Sequence, residues 1–318
     1  MLSPMTEMKV FSCNGNPELA EKMCKILDVP LGKASVARFP DGEINLKIEE
    51  DVRGRDIFIV QPTCPPVNEN LMELLVMVDA ARRSSAGRIT AVMPYYGYAR
   101  KDRKEEGRVP ITAKLVANML SQAGVDRVLT LDLHATQIQG FFDIPVDHLF
   151  SFPVLSSYFK EAGIEDLTVA TPDVGGIRMA RAFSEILGAD LAVVDKRRIS
   201  PEHTEVGFVI GEVKNRNILL VDDMISTAGS ITAAATLLQS HGAKDVYAAA
   251  AHGVFCPPAV ERINASPIKE LIVSDSIPLN EHAQGLNNRI KVLSVSELLA
   301  KAIRCIHMNE SVSSLFSK

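Results

Sequence analysis

Short apolar runs at residues 10–12, 56–60, 89–93, 128–131, 168–170, 191–194, 218–221 and 246–251 alternate with longer stretches at 17–27, 71–82, 111–123, 177–187 and 231–240. A strand with one wet face alternates apolar and polar residues, so unbroken apolar runs read as strands covered on both sides. The longer stretches repeat their apolar residues every three to four positions and read as amphipathic helices. Asn16 before Pro17 marks a helix start: the amide oxygen can accept a first-turn N–H, and proline fits the first helical position. Gly124, Gly188 and Gly242 stand where helices should stop. This order predicts an α/β protein built of mainly parallel sheets flanked by helices.

At 318 residues the chain exceeds the comfortable size of one core. Leu120, Gly124, Val128 and His134 recur, at identical spacings, as Leu238, Gly242, Val246 and His252. In both places a helix ends at glycine and a strand runs on to a histidine. Length and repeat together predict two similar halves, 8–149 and 150–318, with residues before Met8 as an extension.

A formal charge of -5 gives no basic excess for nucleic acid. An anionic substrate must then find local cations, and 100–104 and 196–198 supply two clusters. The five cysteines are scattered without a CxxC pair, which argues against a disulfide framework or structural zinc and suits a reducing cytoplasm. The first dozen residues lack the basic and apolar regions of a secretory signal, and no stretch approaches a membrane span.

The segment 217–231, NILLVDDMISTAGSI, carries the most chemistry. Asp222 and Asp223 close an apolar strand, the place where open α/β sheets bind ligands. Ser226, Thr227, Ala228, Gly229 and Ser230 follow, just before a helix. Free backbone N–H groups and the positive end of the helix make such a turn an anion site. The carboxylates can accept hydrogen bonds from vicinal hydroxyls, directly or through Mg²⁺. Hydroxyls beside a phosphate describe a sugar phosphate. A plain strand-to-helix turn with capping Asp and Ser residues has similar letters.

This segment resembles the phosphoribosyl-binding fingerprint of type I phosphoribosyltransferase folds. FPDGEINLKI at 39–48, YGYARKDR at 96–103, ITAKLVANML at 111–120, LDLHATQIQGFFDIPVDHL at 131–149, TPDVGG at 171–176, DKRR at 195–198 and SVSSLF at 311–316 narrow the likeness. Together they resemble ribose-phosphate diphosphokinases of the phosphate-activated, ADP-inhibited class over essentially the whole chain. The resemblance implies two phosphoribosyltransferase-like domains and transfer of the diphosphoryl group of ATP to the anomeric hydroxyl of ribose 5-phosphate, with AMP leaving.

It further implies roles. Asp222, Asp223 and 226–230 would take ribose 5-phosphate. His134 and Asp173 would hold Mg²⁺ with the ATP phosphates. Phe39, Asp41 and Glu43 would reach the adenine from a neighbouring subunit of a homo-hexamer. Taken alone, the Asp-Gly pair among them reads as a tight hairpin turn. Arg100, Lys101 and Asp102 would grip ATP, while Lys196 and Arg198 would form the catalytic pair on a closing loop. Arg53, Ser311, Ser313 and Phe316 resemble a regulatory site for inorganic phosphate and ADP.

Some positions depart from the family pattern. Ser226 stands where many relatives carry Asp, and Ser230 where Thr is usual; both keep a hydroxyl. Lys101 replaces a frequent Gln. Asp51 lies where Ser is common, and its carboxylate would repel an effector phosphate. Two other classes fit parts of the pattern: a non-catalytic regulatory partner of an active diphosphokinase, and a phosphoribosyltransferase. Intact site residues count against the first. The duplication and FPDGE count against the second.

Overall fold

The computed structural model describes residues 7–197 and 206–315. It divides into two compact units, Met1–Leu149 with Ser294–Lys318, and Phe150–Leu293. The first unit contains β1 (Met8–Ser12), α1 (Pro17–Leu27), β2 (Ala34–Arg38), β3 (Ile44–Ile48), β4 (Asp56–Val60), α2 (Val67–Arg83), β5 (Arg88–Met93), α3 (Thr112–Ala123), β6 (Arg127–Leu131) and β7 (Val146–Leu149). The second contains α4 (Phe152–Ala162), β8 (Leu167–Thr171), α5 (Ile177–Leu187), β9 (Asp190–Arg197), β10 (Val206–Ile210) and β11 (Asn217–Ile225). It continues through α6 (Gly229–Ser240), β12 (Val246–Gly253), α7 (Ala259–Asn264), β13 (Ile268–Ser274) and β14 (Ile290–Leu293). Helix α8 (Ser296–Met308) then returns to the first unit.

The first unit holds a five-stranded parallel sheet in the order β1-β4-β5-β6-β7, plus an antiparallel ribbon of β2 and β3. All five residues of β4 are buried: the apolar run 57–60, as cover on both faces requires, and Asp56 at its start. The second unit holds a seven-stranded sheet in the order β10-β9-β8-β11-β12-β13-β14, parallel except that β10 runs against β9. Its central strand shows why both faces are apolar. Ile218 and Leu220 pack with Ile231, Ala234 and Leu238 of α6. Leu219 and Val221 pack with Phe159 of α4 and Phe183 of α5. The expected α/β layering is therefore present in each unit.

The helix ends follow the sequence signals. Asn16 Oδ1 accepts the Leu19 N–H at 3.2 Å, and Pro17 occupies the first turn. Gly124 and Gly188 end α3 and α5 with left-handed φ of 113° and 62°, a conformation glycine adopts without penalty. Gly242 lies one residue beyond the cap of α6, at φ 90°.

The division of the chain departs from a single cut at residue 149, because residues 294–318 group with the first unit. The amphipathic α8 provides the reason. It packs against α1, and Arg304 donates to the Ile26 carbonyl at 3.3 Å. The buried Asp56 at the start of β4 takes Arg88 Nε at 2.8 Å and His307 Nδ1 at 2.8 Å, and Arg88 also donates to the Ile306 carbonyl at 3.0 Å. A buried carboxylate demands such partners, and α8 brings one of them. All five cysteines are free thiols. Among the described residues no helix is long and apolar enough to cross a membrane.

Candidate active site

Strand β11 does not stop at the carboxylates. It runs to Ile225, with Asp222 opposite Ala250, Met224 opposite His252 and Ile225 opposite Gly253 of β12. Asp222 and Asp223 thus sit on the strand itself, four and three positions before Ser226, and are held by sheet pairing instead of by a turn. The Asp223 N–H donates to Asp222 Oδ1 at 2.9 Å. The Asp222 carboxyl is held well above the usual carboxylate range, first by burial, then by the charge of Asp223 and, further out, of Asp173. Like charges crowded in this way are relieved by hydroxyl donors or by a cation, so the donor set fits Mg²⁺ chemistry.

The loop after β11 is braced from behind. The Val254 and Phe255 N–H groups both donate to the Ile225 carbonyl at 3.0 Å, and the Cys256 N–H donates to the Ser226 carbonyl at 2.9 Å. Arg262 Nη1 donates to the Thr227 carbonyl at 3.0 Å. Ala228 caps α6 in the left-handed region, with φ 59° and ψ 9°. That conformation costs a non-glycine residue about 1–2 kcal/mol, so the surroundings must hold it. Thr232 does so in part, with its N–H and Oγ1 donating to the Ala228 carbonyl at 3.1 and 2.7 Å. Alanine offers no side-chain acceptor to the first-turn N–H groups of α6. Thr227 and Ser230 are exposed, Ser226 and Gly229 half-buried. The result is a run of amides and hydroxyls that follows two carboxylates.

Asp173 lies in the same unit, after β8. Its Oδ1 accepts the N–H groups of Gly175 and Gly176 at 2.8 and 3.2 Å, capping a short 3-10 turn that leads into α5. That capping role leaves Oδ2 outside these two bonds. Among the described residues no three His, Cys, Asp or Glu side chains form a preformed cation cage. A site where substrate phosphates and water supply most ligands needs none.

The first unit gathers the segments expected to meet ATP. Residues 39–43 form the turn of the β2-β3 hairpin, closed by the Phe39 N–H to the Glu43 carbonyl at 2.8 Å, with Gly42 at φ 95°. Asp41 Oδ1 accepts the Glu43 N–H at 3.2 Å. The Asp-Gly hairpin is therefore present, and it presents Phe39, 47% exposed, at its tip. Arg100 and Lys101 are exposed on the segment between β5 and α3. Lys101 pairs with Glu105 at 3.7 Å, and Gln137 Nε2 donates to Asp102 Oδ2 at 2.7 Å. His134 is exposed in the loop after β6, which His148 organises by accepting the Leu133 N–H at 2.9 Å.

Lys196 departs from the expected loop, since its backbone belongs to β9 and pairs with Gly207 of β10. The returning strand β10 extends β9 beyond the apolar run 191–194. Arg198 and Phe316 lie outside the described residues. Arg53 Nη1 donates to Ser85 Oγ at 3.3 Å, and Asp51 Oδ1 accepts the Arg53 N–H at 3.1 Å. Ser311 and Ser313 are exposed around a 3-10 turn, Val312–Leu315.

Two contributors were not foreseen. Glu73, 2% exposed, accepts from the Asn14 N–H at 3.1 Å, Asn14 Nδ2 at 2.9 Å and Gln61 Nε2 at 3.1 Å, and faces Arg38 of β2 at 3.7 Å. It anchors the β2-β3 hairpin to the sheet. Its sequence signal was a glutamate among leucines in α2. Arg262 had none, because nothing in the letters ties α7 to a loop 35 residues earlier.

The chain matches the model of the N-terminal domain of ribose phosphate pyrophosphokinase over residues 8–124 and that of the phosphoribosyl synthetase-associated domain over 199–317. It is 54% identical over 312 residues to a ribose-phosphate pyrophosphokinase of Clostridium perfringens, covering 97% of each chain. It is 53% identical over 310 residues to that of Bacillus subtilis, covering 98% of this chain and 97% of the relative. The crystal structure of phosphoribosylpyrophosphate synthetase from Mycobacterium smegmatis superposes with a TM-score of 0.89 at 42% identity, covering 96% of this chain and all of that one.

Proposed function

The chain belongs to the ribose-phosphate pyrophosphokinase family, and from that premise we propose how its residues divide the work. The reaction joins the anomeric oxygen of ribose 5-phosphate to the β-phosphorus of ATP, breaks the bond to the α-phosphoryl oxygen, and releases AMP. Loop 226–230 takes the 5-phosphate, and Asp222 and Asp223 take the ribose hydroxyls. One observation carries this assignment: the buried strand β11 holds two crowded carboxylates near its carboxyl end and runs on through Ile225 to a left-handed Ala228 at a helix entrance. Phosphate and hydroxyl donors belong together at no other kind of turn so naturally.

Lys196 and Arg198 neutralise charge that develops on the transferring group, the main demand of a phosphoryl transfer. Arg100 and Lys101 grip the ATP phosphates, with Asp102 tied to the neighbouring loop through Gln137. Phe39, Asp41 and Glu43 serve the adenine of ATP bound to an adjacent subunit of a homo-hexamer. An exposed aromatic on a rigid hairpin tip suits stacking across such an interface. His134 and Asp173 are the residues assigned to Mg²⁺, whose chemistry when bound is to offset phosphate charge. Arg53, Ser311, Ser313 and Phe316 are assigned to inorganic phosphate and ADP as effectors. The free thiols suit a cytoplasmic enzyme.

The test is direct. Purified protein with ATP, Mg²⁺ and ribose 5-phosphate should produce AMP and phosphoribosyl diphosphate in equal amounts. Folded oligomer that yields no AMP would overturn the assignment.

A further inference from the structure

The loop assigned to the 5-phosphate contains no cation of its own; Ser226, Thr227, Ala228, Gly229 and Ser230 are all neutral. One approaches from outside. Arg262, exposed on α7, donates Nη1 to the Thr227 carbonyl at 3.0 Å. A Cβ built on Gly229 would meet the same Nη1 at 3.2 Å, so the guanidinium lies against both sides of Ala228. Among the described residues, this guanidinium has no carboxylate partner.

The bond has a directional consequence. In a trans peptide the carbonyl and the following N–H point in opposite directions. Holding the Thr227 carbonyl toward Arg262 therefore aims the Ala228 N–H away from it. The Cys256 N–H does the same one peptide earlier, holding the Ser226 carbonyl and aiming the Thr227 N–H. Left alone, the Thr227–Ala228 peptide would be free to rotate out of the left-handed arrangement, which Ala228 does not favour. Successive N–H groups aimed to one side are what an anion requires.

We infer that Arg262 is a positioning residue for ribose 5-phosphate: it locks the Thr227–Ala228 peptide with its N–H turned toward the phosphate and lends the neutral loop a positive charge. The inference rests on the assignment of that loop to the sugar phosphate. It separates the two substrates, because Arg262 braces the sugar-phosphate loop and no segment assigned to ATP.

Steady-state kinetics on Arg262→Ala and Arg262→Lys, beside Asp223→Asn, test it. Loss of a charge-assisted hydrogen bond should raise the KM for ribose 5-phosphate about tenfold in Arg262→Ala. The KM for ATP and kcat should stay within about twofold. Arg262→Lys should recover part of the loss, since an ammonium keeps the charge and one donor. Thermal melts of the two Arg262 variants should match the parent protein, as Arg262 is exposed. An unchanged KM for ribose 5-phosphate, equal rises for both substrates, or a fall in kcat alone would overturn the role. If Asp223→Asn also leaves the KM for ribose 5-phosphate unchanged, the sugar-phosphate loop itself is misassigned. If Asp223→Asn weakens it and Arg262→Ala does not, only Arg262 is excluded.

Discussion

Replacing Glu73 with glutamine keeps the volume and removes one acceptor. The carboxylate serves three donors from two oxygens, Oε2 taking the Asn14 N–H and Gln61 Nε2, Oε1 taking Asn14 Nδ2. A glutamine oxygen can keep the Oε2 pair, which places its NH₂ against Asn14 Nδ2, donor facing donor. The introduced NH₂, at a position 2% exposed, is then unanswered at about 1–3 kcal/mol, while Asn14 Nδ2 keeps the Val36 carbonyl at 3.2 Å. The ion pair with Arg38 adds less than about 1 kcal/mol, because Arg38 is 41% exposed and well screened. The sum is about 1–4 kcal/mol, and at about 2–4 °C per kcal/mol the melting midpoint should fall by about 2–16 °C. Differential scanning calorimetry reads the shift. The KM for ATP should rise with it, since Glu73 anchors the hairpin that presents Phe39. A midpoint within about 1 °C of the parent would show that the three donors find other acceptors and that Glu73 does not hold the hairpin.

Lys196→Ala should lower turnover by about 10²–10⁴ while ribose 5-phosphate affinity changes far less, measured by single-turnover kinetics beside equilibrium binding. Asp222→Asn should stabilise the ligand-free protein near neutral pH while weakening ribose 5-phosphate binding. The folded state holds the Asp222 proton over a range where the unfolded chain has released it, so the parent loses stability as pH rises from the unfolded pKa through the raised folded one. Melting curves from about pH 4 to about pH 8 should show a flatter profile for the variant. Gly97→Ala should cost about 2 kcal/mol or more, because the new Cβ would lie 2.3 Å from the Thr63 carbonyl oxygen; urea unfolding measures it.

The sequence displayed the sheet interiors well because strands buried on both faces write themselves as unbroken apolar runs. The edges were harder. Strands β2 and β3 mix exposed and half-buried residues, and the edge strand β7 carries Asp147 and His148; even β13, inside its sheet, breaks its run with Lys269 and Glu270. Pairing stabilises such strands, and pairing is not written in any one of them. At the site, Asp222, Asp223 and 226–230 were legible because one continuous segment holds the chemistry. Arg262 and Glu73 were not, since each acts on a segment distant in sequence. Lys196 was read as loop because its strand is completed only by β10. His252 matched His134 in spacing, yet β12 runs through Gly253 and buries it, with Nδ1 2.8 Å from Ser276 Oγ, whereas β6 stops at Leu131 and leaves His134 exposed.

The return of α8 to the first unit has a consequence for biosynthesis. The groove beside α1 and the buried Asp56 are filled by residues made after the entire second unit. A nascent chain emerging from the ribosome can assemble Phe150–Leu293 from contiguous sequence, but its amino-terminal partner must wait, incomplete, until the last helix is translated. Truncation after residue 293 would therefore harm the half of the molecule that was synthesised first.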